Sequence, residues 1–453
     1  MCIRDRRSLH RQVAGGLERL HAAFPDTAAG EIAGHYELAG EMGKALEGYQ
    51  RAAREARRVY AHQTALTWLH RALALLPKVH DEPYRRQSTV TIYESQGDVF
   101  KTLGRRPEAV GAYEHARQAL SAGESLVIAG LLRKQGNAWL EDRRYDVAQE
   151  CIVRAQAVLE NDPHQTDLDW QQEWLQARLA QMQLLYWTYQ WEQMADLAGQ
   201  IQPRMEAFGS PLQQVDLYHH MAQMAFLRAG FLGSRESCSA ARRGLQAARE
   251  TADMNAILSM QFSYGFHLLW SGELEPAARE LSQTLAATRE LGNRLLQTQC
   301  LTYLTIVERR RGNFEQVAEL ARESLEAAQA IRRVDYIGVA EANQAWLAWR
   351  MGDLEETNRL GQAALETWNT DSHPYPLQWL GIWPLVAVRL TRGEVNEAVE
   401  PARRLIDPAQ QRLPAEMAAL LEQAFHSHDE ADWEAARLSL SRALELAQEL
   451  NYL

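Results

Sequence analysis

The sequence predicts an all-α solenoid of about ten helix-turn-helix repeats, and two features of the chain carry that prediction. The first is a short phrase, a glycine followed by a polar and then an apolar residue, which begins at Gly272, Gly312 and Gly352 with a period of 40 residues. The second is a recurring order of small and aromatic residues at helical spacing on both sides of such glycines. A fixed period in this range is typical of stacked helix pairs, each too small to bury its apolar face alone.

The first third of the chain predicts a leading helix followed by repeats. An amphipathic pattern covers residues 9–24 and is ended by Pro25. Repeats are predicted over residues 27–160, with turns near Gly40 and Gly104 where small residues let two antiparallel helices approach. Rings that fill the gaps beside these small residues are expected at Tyr36, Tyr49, Phe100, Tyr113 and Trp139.

The rest of the chain divides into three predicted segments. Residues 161–250 keep a helical pattern but lack a secure repeat motif, so degenerate repeats are predicted there. Residues 251–408 carry the strong 40-residue repeats, and residues 409–453 form a last repeat or a cap. Pro384 and Pro401 fall inside predicted helices, where kinks or shifted helix starts are expected because proline lacks a backbone N–H.

Composition argues against several classes of partner. The net charge of −11 gives no global attraction for a nucleic-acid backbone or an anionic membrane, so neither is predicted as a partner. No apolar run has the length and purity of a membrane span, and the start has no signal-peptide core. The cysteines, Cys2, Cys151, Cys238 and Cys300, stand far apart, which is typical of a reducing compartment. A cytoplasmic location is therefore predicted.

Motifs for catalysis and for phosphate binding are missing from the sequence. There is no P-loop, dinucleotide-binding loop, nucleophile elbow or zinc-protease motif, so catalytic residues, cofactors and metals are all predicted to be absent. His219 and His220 are neighbours on a predicted helix and point in different directions. The run from His426 to Glu430 is interpreted as a solvated turn before Trp433. An enzyme with an unrecognised site among the histidines and carboxylates remains an alternative.

Aromatic and arginine residues on the first helices of the strong repeats are the candidate binding residues. Such a stripe presents ring faces and fixed positive forks to a peptide or an acidic small molecule. For any single Trp the alternative is core packing between repeats, and for the arginines it is an ordinary solvated face. The candidate groove consists of Phe262, Phe266, Trp270, Arg309, Arg310, Trp346, Trp349, Arg350 and Trp383.

The order of small and aromatic residues resembles that of tetratricopeptide repeats (TPRs). In that family Gly or Ala and then a ring lie on the first helix, and Ala, a ring and Ala lie on the second, as at Gly97, Phe100, Ala109, Tyr113 and Ala116. The resemblance implies a right-handed α-solenoid whose concave groove is lined by the first helices. It also implies a protein, a peptide or a small effector as the ligand in that groove.

The first quarter of the chain resembles a narrower group. Residues 9–14, 33–40 and 44–49 are similar to the segment after the nucleotide-binding domain of bacterial signal-transduction ATPases, including STAND- and AAA-type transcriptional activators and ATPase-linked adenylate cyclases. The resemblance implies a noncatalytic sensor or regulatory arm, with a freestanding assembly adaptor as the alternative. Residues 1–26 are accordingly interpreted as a non-native start and a leading helix that follows a missing upstream ATPase domain.

Overall fold

The fold is all-α throughout the described part of the chain. A computed structural model describes residues 3–22, 26–59, 61–121, 123–370 and 375–453, and within these ranges it contains α-helices, two short 3₁₀ turns and no strand. The chain divides into two compact units, Met1–Leu184 and Leu185–Leu453. Among the described helices, none combines the length and the apolar character that a bilayer crossing requires.

The first unit contains nine described helices, the last of which runs three residues beyond it. They are α1 (Ile3–Leu20), α2 (Ala29–Ala39), α3 (Met42–Arg58), α4 (His62–Leu75), α5 (Glu82–Thr102), α6 (Arg106–Gln118), α7 (Ser125–Glu141), α8 (Tyr145–Glu160) and α9 (Leu168–Trp187). Helices α2 and α3, α5 and α6, and α7 and α8 pack as pairs. The predicted leading helix is confirmed as α1, whereas the predicted stop at Pro25 lies outside the described residues.

The second unit continues the series of helix pairs. Its helices are α10 (Trp191–Phe208), α11 (Pro211–Arg228), α12 (Arg235–Glu250), α13 (Met254–Ser271), α14 (Leu274–Leu291), α15 (Arg294–Arg311), α16 (Phe314–Ala330), α17 (Val334–Met351), α18 (Leu354–Asn369), α19 (Trp379–Thr391), α20 (Val395–Ala402), α21 (Ala415–Asp429) and α22 (Trp433–Glu449). From α11 onward, each odd-numbered helix packs against the even-numbered helix that follows it. The predicted solenoid of helix-turn-helix repeats is confirmed.

The glycines of the repeated phrase end the first helix of each strong repeat. Gly312 has a φ of +73°, and its N–H and that of Asn313 donate to the carbonyls of Arg309 and Glu308 at the end of α15. Gly272 and Gly352 take the same left-handed conformation. Glycine adopts it without steric cost, which explains why the phrase begins with this residue.

The stretch predicted to be degenerate contains regular helices. Helices α11 and α12 begin with capping boxes at Ser210 and Ser234. These capping boxes mark the helix starts in a stretch where the repeat motif is missing. The turn between them uses Gly230 at a φ of +71°. At the equivalent turn after α9, Tyr189 takes the left-handed conformation instead of glycine, which removes the glycine signal from the sequence.

Small residues inside the helices admit the large rings of the core, as predicted. On Gly338 of α17, an added Cβ would lie 2.4 Å from Nε1 of Trp368. The indole N–H of Trp368 donates to the Asp335 carbonyl at 3.0 Å, and the side chain is 2% exposed. Glycine at this position is therefore required for close packing of α17 on α18.

Candidate functional site

The predicted groove residues lie on α13, α15, α17 and α19, the first helices of four consecutive pairs in the second unit. The structure separates them by burial. Half-buried or exposed are Phe262, Phe266, Arg310, Trp349 and Arg350, whereas Trp270, Arg309, Trp346 and Trp383 are buried. The first group therefore keeps accessible surface, and the second group lies in the core.

A continuous series of rings, here called the aromatic row, runs across α11, α13, α15 and α17. The rings of Phe226 and Phe266 are 5.1 Å apart between centroids, those of Phe266 and Tyr303 are 4.8 Å apart, and those of Tyr303 and Tyr336 are 6.4 Å apart. These are distances at which aromatic pairs attract one another. The aromatic row consists of Tyr189, Phe226, Phe231, Phe262, Phe266, Tyr303 and Tyr336.

Five members of the aromatic row were missed at the sequence level. Tyr303 and Tyr336 stand on the predicted helices, but nothing in the repeat phrase marks their positions. Phe226 and Phe231 lie in the stretch without a secure motif, and Tyr189 occupies a turn position where glycine is expected. The only members of the aromatic row that the sequence identified were Phe262 and Phe266, because their helical spacing places them on one face of a predicted helix.

Tyrosine hydroxyls give one end of the aromatic row a polar character. Burial raises the pKa of Tyr303 well above its usual value, and nearby Tyr375, Tyr336 and Tyr186 raise it further. The Tyr303 phenol therefore stays neutral and can donate a hydrogen bond. The Tyr336 hydroxyl itself accepts a hydrogen bond from Nε2 of Gln299 at 3.0 Å.

Two buried histidines, His220 and His267, and the half-buried His219 lie beside the apolar part of the row. Burial lowers the pKa of His219 to about 3, of His220 to about 4 and of His267 to about 3, so all three are neutral at physiological pH. Nδ1 of His219 lies 3.3 Å from Oγ of Ser263, and His267 packs edge-on against Phe266. Within the described ranges, no three His, Cys, Asp or Glu side chains are placed to hold a metal ion.

The second histidine group is largely exposed, as predicted, but it lies at the end of a helix and not in a loop. His426, His428 and Asp429 form the last turn of α21, and Glu430 caps it. Nε2 of His426 lies 3.4 Å from a carboxylate oxygen of Glu430. This corrects the interpretation of the run as a loop. The helix that begins at Ala415 continues through these polar residues to Asp429.

Arg309 is the largest departure from the sequence interpretation, which gave it a solvated face as the simplest role. Its side chain is 2% exposed. Nη1 donates to Oδ1 of Asn343 at 3.2 Å and to the Leu380 carbonyl at 3.0 Å, while Nη2 donates to the Tyr452 carbonyl at 2.8 Å. The guanidinium carbon also lies 5.4 Å from the ring centroids of both Trp346 and Trp379. We call this group the arginine hub.

Pro384 explains why a helix carbonyl is open to Arg309. In a regular helix the carbonyl of Leu380 accepts from the N–H four residues later, and that residue is Pro384, which has no N–H. Arg309 supplies the missing donor. The proline, which lies inside α19, therefore creates the acceptor that fixes the arginine hub.

Gln411 and Arg412, which lie between α20 and α21, connect distant parts of the second unit and are here called the clasp. The side chain of Gln411 accepts from Nε1 of Trp379 at 2.9 Å and donates to the Phe231 carbonyl. The Arg412 N–H donates to the Gly230 carbonyl at 2.9 Å. The clasp thus joins the turn after α11 to the start of α19, next to one end of the aromatic row.

The first unit contains a separate cavity of about 1140 Å³ between α2, α3 and α4. Its wall includes Tyr49 and Trp68, stacked with centroids 5.6 Å apart, and the guanidinium of Arg71 lies 5.2 Å from the Trp68 ring. The Tyr49 hydroxyl donates to Glu37 at 2.8 Å. The cavity carries charges of both signs and indicates no single ligand class, so the aromatic row is the stronger candidate site.

Packed helix pairs, left-handed glycines at their turns and a row of rings on the first helices define a TPR-like α-solenoid. No protein-family model matches the chain, and no curated protein matches it. Solved structures do resemble it. A signal transduction ATPase with numerous domains (STAND) that carries a tetratricopeptide repeat sensor, from Pyrococcus horikoshii, is 14% identical with a TM-score of 0.53; the match covers 83% of this chain and 54% of that one.

A second similar structure is a Rap protein in complex with Competence and Sporulation Factor. It is 11% identical with a TM-score of 0.52, and the match covers 90% of this chain and 99% of that one. At such identities the similarity shows the fold alone. The chain spans about half the length of the STAND protein that it matches.

Proposed function

We propose that the chain is a noncatalytic regulatory scaffold whose second unit binds a peptide or a small effector along the aromatic row. The observation that carries this proposal is the row itself, because five of its seven rings stand on the consecutive first helices α11, α13, α15 and α17, and Phe262 and Phe266 among these five keep accessible surface. Rings held by neighbours lose little conformational entropy when a ligand packs on them. Aromatic and arginine side chains are also the residues that most often dominate binding energy.

The predicted groove enters this proposal in two roles. Phe262, Phe266, Arg310, Trp349 and Arg350 are the proposed contact residues, since each retains accessible surface. The buried members hold the contact residues in place: Trp270 packs edge-on against Phe266 at 6.1 Å, and Trp346 lies under the Arg350 guanidinium at 5.7 Å. Trp383 lies on α19 and is fully buried in the hydrophobic core.

The biological setting that we propose is the sensor arm of a bacterial signalling ATPase, with an ATPase domain upstream in the full-length protein. Support comes from the sequence resemblance in the first quarter of the chain and from the similar structure whose TPR sensor belongs to a STAND protein. The Rap protein, solved with a bound factor, supports ligand binding on this fold. A cytoplasmic location agrees with the free thiols of Cys151, Cys238 and Cys300.

Binding measured on matched variants tests this proposal. Peptide and metabolite libraries are screened against the full chain by ligand-observed NMR, and ligands found are titrated by calorimetry. We expect a ligand that binds the wild type and the Phe208→Ala variant equally but binds Phe266→Ala at least tenfold more weakly. Phe208 is a suitable control because it is 40% exposed at the end of α10 and outside the aromatic row.

Two kinds of result would contradict this proposal, one for the binding site and one for the noncatalytic role. Libraries that yield no ligand, or a ligand whose affinity is the same for Phe266→Ala and Phe262→Ala as for the wild type, contradict the assignment of the aromatic row. Reproducible turnover of a library compound, abolished by a substitution such as His428→Ala, contradicts the noncatalytic role.

A further inference from the structure

The arginine hub has a buried positive charge that no carboxylate in the described part of the chain neutralises. The hydrogen-bond acceptors of Arg309 are two backbone carbonyls and the amide of Asn343, all of them neutral. Burial alone lowers the pKa of Arg309 to about 9, which leaves it cationic at physiological pH. A buried charge is ordinarily paired with an opposite charge. Here the opposite charge is missing.

Three N–H groups at the arginine hub also lack an acceptor. They are Nε of Arg309, Nδ2 of Asn343 and Nε1 of Trp346, and their side chains are 2%, 1% and 3% exposed. Both partners touch the guanidinium, Asn343 through its Oδ1 and Trp346 through its ring. Buried donors are nearly always satisfied in folded proteins, so a cluster of three unsatisfied donors around one cation calls for an acceptor.

The surroundings add further positive charge. The half-buried Arg310 lies 5.9 Å from the Tyr452 ring, and the exposed Arg350 lies 5.7 Å from the Trp346 ring. The Tyr452 carbonyl accepts from Nη2 of Arg309, and the Tyr452 ring packs on that of Trp379 with centroids 4.8 Å apart.

We propose that the arginine hub is a binding site for an anionic group, a carboxylate or a phosphate, and that the ligand replaces Tyr452 on Arg309. An anion there neutralises the cation and accepts from Nη2 and from the unpaired Nε of Arg309, because the planar guanidinium can donate two N–H groups to one carboxylate or phosphate. The site shares Arg310 and Arg350 with the contact residues proposed above, but Arg309 is not one of those contacts and is not in the aromatic row. Phe266→Ala therefore tests the aromatic row, and Arg309→Gln tests the arginine hub.

One isosteric substitution tests the site from within. Asn343→Asp places a carboxylate next to Nη1 of Arg309 and removes only an N–H group that has no acceptor. If the arginine hub lacks an anion, this variant has a higher melting temperature than the wild type in anion-poor buffer. The same variant no longer binds external anions, because the internal carboxylate takes their place.

Titration with inorganic phosphate and, separately, with acetate completes the experiment at constant ionic strength. We expect at least one of the two anions to raise the melting temperature of the wild type saturably, with single-site binding by calorimetry. Arg309→Gln lowers that affinity at least tenfold, and Tyr452→Ala, which loosens the competing tail, raises it several-fold. Arg359→Gln is the control, because Arg359 is exposed and already paired with Glu356.

Three results overturn the inference. The first is the absence of saturable stabilisation of the wild type by either anion. The second is a melting temperature of Asn343→Asp that equals or falls below that of the wild type. The third is an anion affinity that is the same in Asn343→Asp as in the wild type. The preference between phosphate and acetate identifies which anionic group the site takes.

Discussion

At the scale of single residues, the position of a side chain in the solenoid depends on features that its neighbours in sequence do not reveal. Arg309 and Arg310 are adjacent on α15 in a run that ends with Arg311, yet the first is buried, the second half-buried and the third exposed. Arg309 reaches acceptors 71 and 143 residues away in the chain. The run of arginines in the sequence therefore did not predict the arginine hub.

The conformation of the turn glycines is, in contrast, a local property that the sequence reveals. We predict that Gly312→Val destabilises the protein by about 1–2 kcal/mol, the cost of placing a branched side chain in the left-handed region. An added Cβ meets no atom within 4 Å at this position, so the φ of +73° alone causes the loss. The measurement is the midpoint of urea unfolding.

Gly199→Val is the matched control for that prediction. Gly199 lies inside α10, has no atom within 4 Å of an added Cβ and does not have a positive φ. Valine there is expected to be neutral or slightly stabilising, because it has a somewhat better helix propensity than glycine. Equal midpoints for the two variants would show that the turn conformation carries no cost.

At the scale of elements, the helix pairs were predictable, whereas the long-range contacts of the clasp were not. The 40-residue period and the spacing of small and aromatic residues locate α13 to α18 from the sequence, because pairing within a repeat depends on residues close in the chain. The clasp depends on Gln411 meeting Phe231, 180 residues earlier, and no periodicity marks such a contact. The cause of the open Leu380 carbonyl, Pro384, was visible in the sequence, but the prediction there was a kink or a shifted helix start and did not include an acceptor for Arg309.

We predict that Gln411→Ala destabilises the second unit by about 2–3 kcal/mol. The substitution leaves the Trp379 indole N–H and the Phe231 carbonyl buried without a partner, and each such group costs on the order of 1 kcal/mol or more. Urea unfolding measures the loss, with the exposed Gln448→Ala as control. If both variants unfold at the same urea concentration, the clasp does not contribute to stability.

At the scale of the whole molecule, the chain is two compact units of stacked helices, and the second contains the features that indicate binding. The fold class and the helices that carry the candidate groove were predictable, since both follow from periodicity. Which candidates keep accessible surface was not predictable, because burial depends on contacts between repeats, as the contrast between Phe266 and Trp270 shows.

Hydrogen exchange of the full chain, with and without a ligand found by the screen, tests the central claim most directly. We predict that the ligand slows amide exchange in α13, α15 and α17, the first helices that carry Phe262, Phe266, Tyr303 and Tyr336. The second helices α14, α16 and α18 should show smaller changes. Protection confined to these second helices, or to the first unit, would contradict the assignment of the aromatic row as the binding site.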